Sequence, residues 1–228
     1  MIDYQENIVP ALGQNSANVF LYKNSNSKIR ILFVGNSIAK HAPKPSIGWT
    51  RDCGMAASSA ECDYVHLVVK MIMEKYDKNV SYGIAQVAEY ARTFTEKTPE
   101  CDYAAAKDFE ADLILMFYGA NVPKTYDTEA NPAKTFGKAY EDMRNYLTGG
   151  KDIPVFHSQG FYIRERLDEE KSMVARKYGD VLINIDDIRS LPESHGRFNH
   201  PGDDGMKMLA ERFFSAIEGT VKKICESK

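Results

Sequence analysis

A serine at position 37 stands where a nucleophile would be expected. It follows a short, nearly continuous apolar run at 29–34, and a Gly-Asn pair separates the two. A run of this kind is typical of a strand buried on both faces of a parallel sheet. Because ligands of open α/β sheets bind outside the carboxyl ends of the strands, Ser37 is predicted to lie where chemistry takes place. We interpret Ser37 as the nucleophile of a serine hydrolase.

Ester hydrolysis by a serine needs two further kinds of group. The hydroxyl must lose its proton as it attacks, so a histidine has to lie beside it. The carbonyl oxygen becomes negative, so hydrogen-bond donors such as a backbone N–H or an asparagine NH2 must point at it. Groups far apart in sequence can meet if each follows a different strand of a parallel sheet.

The elements that would position these groups can be read from the apolar pattern. Further strands are predicted at 79–88, 111–118, 153–158 and 181–185, besides a short one near Val19. Helices are predicted at 63–77, 133–147 and 164–178, and from Asp203 or Asp204 as N-cap to Lys223, with one or two short helices within 90–107. Strands that alternate with helices indicate a parallel sheet covered by helices on both sides.

The length and the charge composition of the chain suit a single domain. The chain has 228 residues, 29 basic and 32 acidic side chains and a formal net charge of -3. We expect a domain at 28–228 with residues 1–27 as a lead-in packed on it. The balanced charge argues against nucleic acid as a partner, and no apolar run approaches the roughly 18 residues of a membrane span. The amino terminus lacks the pattern of a secretory signal, which predicts a cytoplasmic protein.

Four short motifs, in order, resemble the conserved blocks of the SGNH/GDSL hydrolase superfamily. GNSI at 35–38 matches the block of the nucleophile, here Ser37, and Gly54 in DCGMAASS matches the block of the oxyanion-hole glycine. G-A-N ending at Asn121 matches the block whose asparagine donates to the oxyanion, and His200 in NHPGDDGM matches the block of the general base. The resemblance implies a three-layer α/β/α sandwich with a parallel, flavodoxin-like sheet of about five strands. It also implies an oxyanion hole formed by Ser37, Gly54 and Asn121.

The sequence departs from the family pattern at the acidic residue. The family has an acid three positions before the histidine, and this chain has Arg197 there; Asn36 also replaces the first-block acid. A Ser-His dyad or a triad could operate, with the imidazole oriented by a backbone carbonyl or by a carboxylate from elsewhere. Glu193 is the nearest upstream candidate.

Four other residues could line the substrate pocket, although each also has an ordinary structural explanation. Trp49 could stack on a sugar or fill a gap between loops, and Arg51 could meet a substrate oxygen or form a surface ion pair. His41 and His157 lie close to strand ends. No cysteine or histidine spacing matches a zinc site, so neither metal nor cofactor is predicted.

The sequence therefore predicts a serine esterase that removes a small acyl group, plausibly acetyl, from a small-molecule ester such as an acylated carbohydrate. The alternative is a weakly active or inactive ligand-binding protein on the same fold. An α/β-hydrolase is disfavoured because Ala39 stands where the last glycine of G-x-S-x-G belongs. A nucleotide-binding protein is disfavoured because no Gly-rich phosphate loop follows the first strand. The oligomeric state does not follow from the sequence.

Overall fold

One mixed sheet forms the centre of the protein. A computed structural model describes residues 7–8 and 18–228 of the chain. Within these residues seven strands pair in the order β1-β2-β4-β3-β5-β6-β7. Their bounds are β1 Asn7–Ile8, β2 Val19–Tyr22, β3 Arg30–Gly35, β4 Ser81–Gln86, β5 Leu113–Phe117, β6 Val155–Ser158 and β7 Val181–Ile183.

The five strands from β3 to β7 are parallel, and their spatial order confirms the flavodoxin-like prediction. β2 pairs antiparallel with β4, so part of the predicted lead-in is a strand of the sheet itself. β1 extends the same edge by pairing with β2. Residues 1–6 and 9–17 of the lead-in lie outside the described residues.

The helices agree with the predicted segments, apart from their ends. They are α1 Tyr64–Lys75, α2 Ala88–Arg92, α3 Ala104–Asp108, α4 Phe136–Thr148, α5 Glu165–Tyr178, α6 Asp186–Arg189 and α7 Asp203–Ser227. Short 3₁₀ helices cover Pro45–Ile47, Ala60–Cys62, Pro99–Cys101, Lys124–Thr128, Pro192–Ser194 and Arg197–Asn199.

Both predicted ends of α7 were wrong, and one short helix was not predicted at all. The N-cap of α7 is Gly202, and Asp203 and Asp204 lie inside the first turn, where a negative charge stabilises the exposed N–H groups. The helix also runs past Lys223 to Ser227, because buried side chains continue as far as Cys225. α6 was not predicted.

The helices cover both faces of the sheet, which confirms the three-layer architecture. In β3 the side chains of Ile31 and Phe33 enter one core together with α1 and α7. Leu32 and Val34 enter the other core together with α2 to α5. Because successive side chains of a strand point to opposite faces, both faces of β3 are buried, as its apolar sequence predicts.

In the part of the chain that the structure describes, no helix is long and apolar enough to cross a membrane. The cytoplasmic location stays a prediction from the sequence.

Candidate active site

Ser37 and His200 meet at the carboxyl edge of the sheet. Ser37 lies just after β3, and His200 lies in the loop just before α7. The Oγ atom of Ser37 is 2.7 Å from Nε2 of His200. The structure thus brings together the two residues that the sequence predicted as nucleophile and general base.

The other ring nitrogen of His200 fixes its tautomer. Nδ1 lies 2.8 Å from the carbonyl oxygen of Phe198 and 3.2 Å from the hydroxyl of Tyr162. A carbonyl oxygen can only accept a hydrogen bond, so Nδ1 must carry the proton. The lone pair of Nε2 is then left to accept the hydrogen of Ser37.

An unusual backbone turn presents the Phe198 carbonyl. Phe198 and Asn199 have φ angles of 60° and 55°, in the left-handed region that non-glycine residues seldom adopt. The N–H of Gly196 donates to the carbonyl of His200 at 2.6 Å, and the N–H of His200 donates to the carbonyl of Arg197 at 3.1 Å. These two hydrogen bonds stabilise the turn and keep the Phe198 carbonyl within hydrogen-bond distance of Nδ1 of His200.

The surroundings of His200 favour its neutral form. Burial lowers the pKa of His200 below its ordinary value, the hydrogen bond to Phe198 opposes this, and nearby His41 adds to the lowering. A neutral imidazole at neutral pH can accept a proton, as a general base must.

Asn121 and the Ser37 backbone offer donors beside the serine. The Oδ1 atom of Asn121 is buried without a hydrogen-bond partner among the described residues. Its side chain lines both cavities that meet at Ser37. Within the same residues, neither the Asn121 NH2 group nor the Ser37 N–H donates a hydrogen bond. Both can therefore donate to a ligand oxygen.

The expectation for Gly54 is not met. Its N–H donates to Oδ2 of Asp63 at 3.0 Å and so does not serve the cavity. Asp63 is fully buried and needs donors for its carboxylate, which explains the bond. The next N–H, that of Met55, donates to the Ser37 carbonyl at 2.8 Å. This loop therefore holds the backbone of Ser37, and Ala56 in it has a left-handed φ of 79°.

Two cavities open on either side of Ser37. One, of about 480 Å³, lies towards β2 and β4 and is lined by Phe20, Lys40, His41 and Arg92, among others. The other, of about 560 Å³, follows β5 and β6 and is lined among others by Lys124, Tyr162 and Phe198. Ser37, Asn121 and His200 line both.

The carboxylate proposed to orient His200 is not there. Glu193 is exposed and makes no contact with His200. No carboxylate bonds to His200 anywhere in the described residues; its partners are Ser37, Phe198 and Tyr162.

Of the four predicted pocket residues, only His41 lines one of the two cavities. His41 lines the first cavity, but Trp49 is buried, donates to the His41 carbonyl at 3.0 Å and packs edge-on against Phe198. Arg51 is exposed and does not line either cavity. His157 is buried between Asp180 and Tyr140, away from the serine. Across the described ranges, no group of three or more His, Cys, Asp or Glu side chains could hold a metal ion.

Several solved structures are similar to this chain. The acetylxylan esterase Axe2 from Geobacillus stearothermophilus matches with a TM-score of 0.53 and 17% identity, covering 86% of this chain and 96% of that one. A protein from Bacteroides ovatus described as a GDSL-like lipase gives 0.57 and 14%, covering 85% and 100%. A family two carbohydrate esterase from Clostridium thermocellum, in complex with cellohexaose, gives 0.57 and 14%, covering 89% and 67%. This chain has the SGNH hydrolase fold. No protein-family model and no curated protein matches its sequence.

Two side chains at this site, Tyr162 and Lys40, were not predicted from the sequence, and the backbone carbonyl expected as one possible partner of His200 was not identified as that of Phe198. Tyr162 follows β6, so the rule that sites lie at strand ends could have found it. Lys40 is buried in the first cavity, where its Nζ lies 3.1 Å from Oδ1 of Asp52, and nothing in the sequence marks it. The Phe198 carbonyl has no side-chain signal at all, because its role depends on a left-handed turn.

Proposed function

We propose that this protein is a serine esterase that hydrolyses small acyl esters, with acetyl groups on carbohydrates as the substrate class. The observation that carries the proposal is the 2.7 Å contact between Oγ of Ser37 and Nε2 of His200, with Nδ1 held by a carbonyl oxygen. A serine with only a structural role in a loop does not need a hydrogen bond to an imidazole that is held in one tautomer, whereas a nucleophile does.

The geometry supports a two-step reaction through a Ser-His dyad. Nε2 of His200 takes the hydroxyl proton of Ser37 as Oγ attacks the acyl carbon. The Asn121 NH2 group and the Ser37 N–H stabilise the negative carbonyl oxygen. His200 then gives its proton to the departing alcohol. In the second step Nε2 takes a proton from water as the water attacks the acyl carbon, and this proton passes to Oγ of Ser37 as the acid leaves.

Carbohydrate esters are proposed as substrates for two reasons. The similar structures include proteins described as an acetylxylan esterase and as a carbohydrate esterase in complex with cellohexaose. The two cavities are lined by many polar groups, which suits a polyol better than a long acyl chain.

The test is the substitution Ser37→Ala, assayed with p-nitrophenyl acetate and with acetylated xylo-oligosaccharides. Hydrolysis of both should be abolished. Ser172→Ala, at a serine of α5 whose hydroxyl accepts from the exposed Arg176, serves as the control and should keep wild-type turnover. If Ser37→Ala turns over like the wild type, the proposed function is wrong.

A ligand-binding protein without catalysis remains the second candidate. It is favoured by two observations: no carboxylate supports His200 within the described residues, and the Gly54 N–H is occupied by Asp63. A fluorophosphonate probe separates the two functions, because only an activated serine is labelled. We expect labelling of Ser37 that is lost in His200→Ala; a protein that resists the probe but binds glycans would support the second candidate.

A further inference from the structure

A buried ionic cluster lies beneath the site, formed by Asp168 and Lys171 of α5 and Arg189 of α6. The Lys171 side chain is 1% exposed, that of Arg189 6% and that of Asp168 11%. Nζ of Lys171 donates to the Ser158 carbonyl at 3.4 Å and lies 3.6 Å from Oδ1 of Asp168. Burying charges in this way seldom adds stability over apolar packing, so the cluster calls for another explanation.

The cluster binds the segment that leads to Tyr162. The N–H of Gly160 donates to Oδ1 of Asp168 at 2.8 Å, and Arg189 donates to the Gly160 carbonyl at 2.8 Å. Arg189 also bonds to Oδ2 of Asp168 at 2.6 Å. Both polar groups of the Gly160 backbone are thereby fixed just before Tyr162, whose hydroxyl reaches His200.

Lys171 also supports the turn that leads to Asn121. A Cβ atom on Gly119 would lie 3.3 Å from Cε and 3.5 Å from Nζ of Lys171. Gly119 has a φ of 127°, and its carbonyl accepts from the N–H of Val122 at 3.1 Å. The turn therefore passes close to the lysine side chain, and a side chain at position 119 would press against it.

We propose that Lys171 is a positioning residue for the esterase reaction: with Asp168 and Arg189, its ammonium group sets the places of Asn121 and Tyr162. The inference rests on the proposed function. An apolar side chain of similar size could fill the same space, but it could neither donate to the Ser158 carbonyl nor attract Asp168. A displacement of about 1 Å at a catalytic group can reduce the rate about 100-fold.

The charge on Lys171 can be titrated. Burial lowers the pKa of Lys171 to about 8, Asp168 opposes the lowering, and Arg189 and Arg164 add to it. The other charged or titratable groups that face it are Asp168, Arg189, Arg164 and His157, and burial lowers the pKa of His157 below its ordinary value. The positioning effect should therefore fade as pH rises through about 8.

The experiment compares Lys171→Met with Lys177→Met, an exposed lysine of the same helix that pairs with Glu141. For Lys171→Met, kcat on p-nitrophenyl acetate should fall about 10- to 100-fold with little change in KM. Its melting temperature should not fall, because a buried ammonium group has been removed while Asp168 keeps Arg189. Lys177→Met should behave like the wild type.

The pH dependence gives a result that a purely structural role would not produce. From about pH 7 to about pH 9.5, the wild-type kcat should decline towards the variant's value, while kcat of Lys171→Met stays level. A wild-type kcat that stays level over this range overturns the inference even if the variant does not fold. A folded Lys171→Met with kcat within twofold of the wild type overturns it too. If Ser37→Ala is inactive in the same assay, such a result rejects the role of Lys171 alone and leaves the proposed function standing.

Discussion

Two neutral oxygen atoms, the Phe198 carbonyl and the Tyr162 hydroxyl, face Nδ1 of His200. In the proposed reaction Nε2 takes the proton of Ser37, and the ring then becomes a cation. A carboxylate would stabilise that cation by its full charge, whereas neutral oxygens do so only through their dipoles. The carbonyl nevertheless fixes the productive tautomer, whose loss can reduce kcat about 10⁴-fold in triad enzymes.

The first prediction concerns the pH dependence of His200. Its pKa is lowered, so the ring stays neutral, and able to accept a proton, to a pH below the ordinary value of about 6.5. In the proposed reaction the acidic fall of kcat/KM should therefore have its midpoint below about pH 6.5. A profile measured between about pH 4 and pH 7, below the range in which Lys171 loses its charge, checks this, and a midpoint above about 6.5 would contradict it.

The second prediction concerns Asn121. Replacing it by alanine removes the side-chain donor, so kcat should fall about 100- to 1000-fold with little change in KM. Steady-state kinetics on p-nitrophenyl acetate measure both constants. Asn145→Ala, on the surface of α4, should leave both unchanged. If Asn121→Ala raises only KM, the side chain binds substrate and does not stabilise the oxyanion.

At the level of elements, strands β3 and β5 were predictable because burial on both faces gives a clear apolar run. The loops were not. The Gly54 N–H was assigned from a motif, but its hydrogen bond depends on Asp63 folding back from the start of α1. His157 lies near a strand end as expected, yet its side chain faces α4 instead of the cavity. The position of a residue along a strand follows from sequence, whereas the partner of a loop group depends on packing between elements.

The third prediction tests the loop behind Ser37. In Gly54→Ala the new Cβ would lie 2.5 Å from the Ile38 carbonyl and 2.8 Å from Cβ of Asp63. Overpacking of this kind should destabilise the fold by about 1–3 kcal/mol and lower activity, because the loop binds Ser37. Urea denaturation and the esterase assay measure the two effects.

Gly219→Ala is the matched control for that change. It lies in α7, where nothing approaches within 4 Å, and should stabilise the protein by about 0.5–1 kcal/mol. Equal stability changes in the two variants would mean that the contacts around Gly54 do not matter.

At the scale of the whole molecule, Asp180 connects elements that the sequence separates. It accepts hydrogen bonds from Arg144 of α4 at 2.6 Å and 3.0 Å, and lies 2.9 Å from Nε2 of His157 in β6. Burial raises the pKa of Asp180, but the bonds from His157 and Arg144 outweigh it and lower the pKa below its ordinary value. The ionised carboxylate therefore stabilises the folded state.

The fourth prediction follows from that contact. Asp180→Asn should lower the free energy of unfolding by about 3 kcal/mol at neutral pH, since it leaves Arg144 largely buried without its counter-charge. Because the folded pKa is depressed, the stabilisation is present above the unfolded pKa of about 3.9 and is lost as pH falls below it. Denaturation curves of the wild type and the variant, recorded at neutral pH and at a pH below about 3.9, measure the difference in the free energy of unfolding. Asp187→Asn, in an exposed pair with Arg212, should change stability by less than about 1 kcal/mol.

The strand order also determines how a long molecule could approach Ser37. β3 has β4 and β2 on one side and β5 and β6 on the other, and a hollow lies over each side. In the proposed reaction a polymeric carbohydrate would lie across both hollows, with Ser37 between them. Ester groups in the middle of its chain would then be as accessible as those at its end, so we expect release of acid to begin at once on long and short chains alike.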